Sequence, residues 1–300
     1  MIRVKVPATT GNVGCGYDIF GMALAYYNYL VCREAESASI EIVGQGAKYL
    51  PRDERNLVLR SAQALYDAAG FGPLKLAFTA YNNIPLSRGM GSSSAAIVGG
   101  IVAANHMLGQ PLDKEALLRL AASIEGHADN VAPALLGGFT INVQEGGLRT
   151  RRIKIPGPLR AVLAVPDFPL STRKARAIMP RRVDLADAVY NAGHAAWLAV
   201  ALAGGDLSGF GEMLQDRLHQ PYRFTLIPGA TDVIEAAVAA GALGSVISGS
   251  GPTMIAFHKG NKALAQTIGQ AMKQAFAAHQ IEARIMRMGM DNTGTLIEGL

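Results

Sequence analysis

The sequence predicts an α+β protein of two lobes. Three observations carry this. Strand-like and helix-like periods are interleaved without strict β–α alternation, which argues against one doubly wound sheet. The 300 residues suffice for one large or two modest domains. Gly146, Gly147, Pro156, Gly157 and Pro158 cluster among Arg149, Arg151, Arg152 and Lys154. That cluster marks a seam near 144–158 and gives expected domains of 1–155 and 156–300.

Ile2, Val4 and Val6 alternate with Arg3 and Lys5, the period-2 pattern of a half-buried strand. A Gly-rich loop follows over 9–18. Runs at 29–33 and 40–43 read as strands. Residues 56–69 read as a helix through Leu57, Ala64 and Leu65, with Gly70 where a C′ glycine belongs. A strand at 74–80 precedes a helix of small residues at 92–108, ended by Gly109. Asp113 is placed to N-cap a helix over 114–123. In the second half, 159–165, 246–248 and 253–257 read as buried strands. Residues 185–203 form a long, mostly apolar helix carrying the sole tryptophan, Trp197. A helix at 263–278 and closing strands at 281–288 and 295–298 complete the pattern.

Half of the residues are hydrophobic and 17% are charged, which excludes a disordered chain. Glycine is in excess, at 34 residues, without the Gly-X-Y period of collagen. Residues 89–112 and 236–258 carry no Asp, Glu, Lys or Arg. Their Gly, Ser and Pro leave apolar runs shorter than the ~20 residues a bilayer needs, so no membrane partner is expected. The opening MIRVKVPATT lacks the apolar core of a secretory signal. Cys15 and Cys32 read as reduced thiols of a cytoplasmic protein. The net charge of +5 suits small anionic ligands. With 6% aromatic residues and no basic stripe beyond 149–154, a nucleic-acid partner is not expected.

Four segments could carry chemistry. In IPLSRGMGSSSAA (84–96), glycines and three serines open an apolar helix. Free N–H groups and the dipole at a helix start make a phosphate cradle, and a serine-rich N-cap is the plainer reading. No Gly-Lys-Ser/Thr follows, so it is not a Walker A loop. Ala95 in place of a second glycine weakens a Gly-x-Ser-x-Gly hydrolase reading. In PATTGNVGCGYD (7–18), a third glycine is missing for a dinucleotide fingerprint. Its Asn and Asp suit either a polar ligand or an Asx turn. In IEGHADNVAP (124–133), Glu125, His127, Asp129 and Asn130 crowd between two helices. They could help to hold Mg²⁺, are poor zinc ligands, or form a polar turn. In SVISGSGPTMIAF (245–257), Ser and Gly join two strands as a hairpin turn that could also face a ligand.

Together these segments resemble the GHMP kinase superfamily, in the right order and across the whole chain. GMGSSSA resembles its nucleotide loop, and SGSGPT its third motif. PATTGNVGCGYD, EGHADNVAP, TRKAR (172–176) and QPYR (220–223) are similar to the homoserine kinase family. The resemblance implies a ribosomal protein S5 domain 2-like N-terminal lobe and a ferredoxin-like C-terminal lobe. It implies ATP-dependent phosphorylation of the L-homoserine hydroxyl, with ATP and Mg²⁺ as cofactors, and a homodimer. Pro85, Leu86, Ser87, Arg88, Gly89, Met90, Gly91, Ser92, Ser93 and Ser94 would cradle the triphosphate, with Asn56 nearby. Ser92 and Glu125 would bind the metal. Asn12, Asp18, His127, Asp129 and Asn130 would line the substrate pocket. Arg176 and Arg223 would hold the amino-acid carboxylate, a task that suits the planar guanidinium fork. Asn130 and Asp18 would orient the hydroxyl. Asn130 stands where some superfamily members place an aspartate base, which leaves open whether any side chain here acts as a base. A GHMP-type kinase for mevalonate or a cytidine-diphospho polyol, and a catalytically silent binding protein, are the competing readings. A polyol offers no carboxylate to the two arginines.

Overall fold

The structure is a computed structural model and describes residues 1–299. It opens with β1 (Ile2–Gly11) and β2 (Phe20–Glu34), paired antiparallel. β3 (Ser39–Gly44), α1 (Leu57–Ala68) and β4 (Leu76–Asn82) form a parallel crossover. Then come α2 (Ser92–Met107), α3 (Lys114–Glu125), α4 (Val131–Leu136) and a hairpin of β5 (Phe139–Val143) and β6 (Arg149–Ile153). The second half holds β7 (Arg160–Pro166), α5 (Thr172–Ala177), α6 (Leu185–Gly204), α7 (Phe210–Met213), α8 (Gln220–Phe224) and α9 (Ala230–Ala239). It ends with β8 (Gly244–Ile247), β9 (Met254–His258), α10 (Lys262–Ala278), β10 (Ala283–Gly289) and β11 (Leu296–Gly299).

Seven strands form the first sheet, in the order β11-β1-β2-β4-β3, with β5 added to β2 and β6 to β5. β2 runs far beyond the expected 29–33 because it serves several partners. It pairs with β1, then with β5 through 20–22 and with β4 through 29–34. Its first five residues are all buried, so they show no alternation to read. The expected seam at 144–158 spans the turn and second strand of the β5–β6 hairpin and the link toward β7. Gly146 and Gly147 turn the hairpin, and Arg149–Ile153 is a paired strand whose arginines hide the pattern.

The second sheet has the order β10-β7-β9-β8, antiparallel throughout. With its crossover helices this is the βαββαβ arrangement of a ferredoxin-like lobe. β7 is buried on both faces. Ala161, Leu163 and Val165 join the core shared with the first lobe, whereas Val162 and Ala164 meet Val233, Ile268 and Phe276 of α9 and α10. β11 returns to the first sheet, where Glu298 stands opposite Arg3.

The charge-free stretch at 89–112 is mostly α2, buried nearly all round. Gly100 lets α1 come close, since a Cβ there would lie 2.6 Å from the Val58 carbonyl oxygen. No described helix is long and apolar enough to cross a membrane.

Candidate active site

Helix α2 begins at the phosphate-cradle motif. Gly91 caps it in the left-handed region, at φ 70°, without a side-chain cap. The first helical backbone bond runs from Ala95 N–H to Gly91, which leaves the amides of Ser92, Ser93 and Ser94 unused by the helix. The loop before it is oriented by its carbonyls. Met90 accepts from Thr9 N–H at 3.1 Å, Ser87 accepts from Leu170 N–H at 3.2 Å, and Gly89 accepts from Ser248 Oγ at 2.7 Å. Among the described residues, no backbone N–H from Ser87 to Ser94 donates to a backbone carbonyl. Carbonyls tied back and amides left free make an anion cradle. Gly91 must be glycine, because a Cβ would fall 1.9 Å from Thr9 Oγ1.

Two members of the expected cradle do structural work with their side chains. Arg88 donates to the carbonyls of Pro166 at 2.9 Å and Asp167 at 2.6 Å, tying the loop to the end of β7. Asn56 caps α1, accepting from Val58 N–H at 2.9 Å and donating to the Pro51 carbonyl at 2.7 Å.

The turn between α3 and α4 faces this loop. Glu125 Oε1 accepts from Ser93 Oγ at 2.6 Å and Ser94 Oγ at 3.0 Å. Asn130 Oδ1 accepts from Thr9 Oγ1 at 2.8 Å. That bond leaves the Asn130 amide nitrogen as a donor without a protein partner among the described residues. His127 Nδ1 is bonded to Asp129. Burial opposes the His127 charge, but the Asp129 bond and charge, with Glu125 adding, outweigh it and raise its pKa.

The loop after β1 contributes Asn12 and Asp18. Both sit at positive φ, 66° and 58°, which Asn and Asp tolerate. Asn12 donates to the Gly249 carbonyl at 2.7 Å and accepts from Asp18 N–H at 3.0 Å. The Ser-Gly-Ser-Gly hairpin is therefore both a turn and a wall of the cleft. Arg176, expected to hold a substrate carboxylate, already has one inside the protein. Asp18 grips its guanidinium with both oxygens, at 2.7 and 2.8 Å.

Arg223 is different. It is only 1% exposed, the largest fully buried side chain of the protein. Its Nη1 donates to the Gly249 carbonyl at 3.1 Å and to His219 Nδ1 at 3.3 Å. No carboxylate lies within 4.0 Å of it among the described residues, and its Nη2 makes no protein hydrogen bond. Burial pushes its pKa down. An unpaired buried guanidinium is costly unless an anion meets it.

A cleft of about 740 Å³ gathers these groups, and every expected site residue lines it, from Asn12 to Arg223. The sequence matches two family models, "GHMP kinases N terminal domain" over residues 56–138 and "GHMP kinases C terminal" over residues 198–278. A homoserine kinase of Moorella thermoacetica is 44% identical over 298 residues, covering 99% of this chain and all of that one. The chain belongs to the homoserine kinase family of the GHMP kinases. A Desulfitobacterium hafniense homoserine kinase is 43% identical with the same coverage. The crystal structure of a Cytophaga hutchinsonii homoserine kinase superposes with a TM-score of 0.90 at 34% identity, covering 99% of this chain and 96% of that one. An L. major mevalonate kinase, 14% identical at TM-score 0.71, shares the fold alone.

Several contributors have no motif of their own in the sequence reading. Ile40, Ile42, Tyr49, Leu50 and Ala80 form an apolar wall beside Asn56. Asp216 and His219 hold Arg223 in place. Buried Asp216 accepts from the backbone N–H groups of Leu218, His219 and Gln220 and from Asn191 Nδ2 at 2.7 Å, fixing the start of α8. His219 Nε2 donates to the Gly14 carbonyl at 2.7 Å, so Nδ1 is the acceptor facing Arg223. Burial, with the Arg223 charge adding and Asp216 opposing, lowers the His219 pKa. An aspartate a few residues before a Pro-containing short helix was the signal available for this anchor.

The same cleft offers oxygen donors to a divalent cation. Among the described residues, Glu125 Oε2 and the Ser92 hydroxyl have no protein partner, while Ser93 and Ser94 steady Glu125 from the other oxygen. Among the described residues, no three His, Cys, Asp or Glu are placed to bind a metal by themselves. Two oxygen donors beside a phosphate cradle fit Mg²⁺, which takes most of its ligands from phosphate and water.

Proposed function

We infer that the chain transfers the γ-phosphoryl group of ATP to the hydroxyl of L-homoserine, giving O-phospho-L-homoserine. The observation that carries this reading is Arg223, a buried cation at the inner wall of the cleft with no carboxylate within 4.0 Å among the described residues. The amino acid supplies the missing carboxylate. Its ammonium suits Asp18, whose two oxygens keep acceptor capacity beyond the Arg176 bonds. A mevalonate or polyol substrate lacks the ammonium, and a polyol lacks both charges.

Phosphoryl transfer depends on positioning and charge stabilisation. The free amides of 87–94 hold the phosphates, and the apolar wall receives the base. Ser92 and Glu125 would hold Mg²⁺, which when bound offsets phosphate charge. Asn130, fixed by Thr9, offers its amide N–H to an oxygen at the transfer point. Asp18 and Arg223 grip the two charged ends of the amino acid and aim its hydroxyl. The hydroxyl proton leaves late, to a phosphate oxygen or to solvent.

ADP release against L-homoserine, D-homoserine, mevalonate and a sugar tests the reading. Turnover confined to L-homoserine is expected, and equal turnover of mevalonate would reject it.

We read the working unit as a cytoplasmic homodimer. Leu185, Val189, Trp197 and Val200 form an exposed apolar stripe along α6, around Ala192, Gly193 and Ala196. A second copy laid antiparallel would cover large ends with large ends and small centre with small centre. Cys15 and Cys32 are buried thiols with pKa values pushed up to about 12, mainly by burial, which suits a reducing compartment. A solution mass of a single chain, unchanged by Val200→Glu, would contradict the dimer.

A further inference from the structure

We propose that a second groove, remote from the cleft, binds a small organic anion with an apolar body and serves as an effector site. The groove measures about 680 Å³ and shares no lining residue with the active cleft. Its floor is apolar, built from Leu118, Leu136, Ile141 and Leu148. Its rim carries four basic residues, Lys114, Arg119, Arg149 and Arg151, and one acid, Glu115. In the β5–β6 hairpin, Arg151 stands opposite Ile141 and Arg149 opposite Val143, so both arginines share the face of the apolar residues. They lie roughly 7 Å apart along the strand. Lys114 faces them from the first turn of α3. Among the described residues, none of these three cations makes an ion pair or a side-chain hydrogen bond. The one acid of the rim, Glu115, pairs with Arg119 at 2.6 Å. Three unpaired cations around an apolar floor of this volume complement a carboxylate, sulfonate or phosphate carried on a hydrocarbon.

The groove is joined to the active site by two helices. α3 starts in it at Lys114 and ends at Glu125, roughly 16 Å away at 1.5 Å per residue. α4 starts directly after Asn130 and ends at Leu136, on the groove floor. A ligand that shifts the outer ends of α3 and α4 therefore acts on the turn holding Glu125 and Asn130. This effector role rests on the phosphoryl-transfer reading of that turn, whereas the binding itself does not.

The test titrates the whole protein with 1-anilinonaphthalene-8-sulfonate while ADP and L-homoserine fill the cleft. A neutral N-phenylnaphthylamine and inorganic sulfate serve as separate probes of body and charge. Saturable 1:1 binding is expected, at least tenfold tighter than either control and weakened at least tenfold by Arg149→Gln/Arg151→Gln. By reciprocity, the sulfonate should change ATP affinity at least fivefold in the parent and not in the double variant. That affinity is read by equilibrium binding, so loss of turnover on L-homoserine would not obscure it. Leu118→Trp, which fills the floor, should also block the probe if the arginine variant folds poorly. Unsaturable binding, binding indifferent to both variants, or an unchanged ATP affinity would overturn the proposal.

Discussion

Replacing Arg223 by Met separates ligand recognition from folding. Methionine keeps an unbranched apolar stem in the buried slot and removes the charge. In the free protein the loss is partly offset. The Arg223 bonds to Gly249 and His219 disappear, but so does the cost of holding an unpaired cation at 1% exposure. A small change in Tm is expected. With substrate bound, the variant forfeits the charge-assisted bonds of Nη2 and Nη1 to a carboxylate, each worth about 1.5–3 kcal/mol. With each bond near the lower end of that range, because Nη1 is shared with Gly249 and His219, a combined loss of about 3–4 kcal/mol lowers kcat/KM for L-homoserine roughly 150- to 1,000-fold. KM for ATP should stay within about twofold, since the cradle shares no hydrogen bond with Arg223. The assay is coupled ADP release with each substrate varied in turn, alongside thermal unfolding. Equal losses toward ATP and L-homoserine, or a Tm collapse that explains both, would refute the reasoning.

Three further outcomes follow from the same geometry. Gly91→Ala places a methyl 1.9 Å from Thr9 Oγ1 at φ 70°, so the loop must shift. Denaturant unfolding should show a loss of at least about 2 kcal/mol, with a raised KM for ATP. Ser92→Ala and Glu125→Gln should each weaken the Mg²⁺ dependence of turnover, costing about 2–4 kcal/mol of transition-state stabilisation; an unchanged metal titration in both rejects the ligand assignment. His219 is buried and its pKa is lowered, so below about pH 6.5 the unfolded chain binds the extra proton and stability falls as pH falls. His219→Gln should flatten that acid limb. His127, whose pKa is raised, acts in the opposite sense, stabilising below about pH 6.5 and fading as pH rises.

The parts of the fold written in local pattern were legible. β1 alternates, α2 is announced by its serines and small residues, and Asp113 caps α3 as expected, accepting from Ala116 N–H at 2.7 Å. The parts set by distant partners were not. The first residues of β2 are buried on both faces, and α4, α5, α7 and α8 are too short to show a period. The site follows the same division. Its loops could be read as motifs because glycine, serine, Asn and Asp there answer to backbone geometry. The pairing of Asp18 with Arg176 joins residues 158 positions apart, and the contact of Arg88 with Pro166 spans 78. Nothing local in the sequence shows that one arginine is gripped by a carboxylate while Arg223 is left unpaired. The composition shows only an excess of positive charge.

The most direct test of carboxylate recognition pairs a change in the protein with a change in the substrate. L-Homoserine and its carboxylate-reduced analogue, 2-amino-1,4-butanediol, are compared in the parent and in Arg223→Met by kcat/KM. The parent should prefer L-homoserine roughly 150- to 1,000-fold, and the variant should show almost no preference. An undiminished preference in Arg223→Met would mean that another group holds the carboxylate, and would contradict the central role given to the buried arginine.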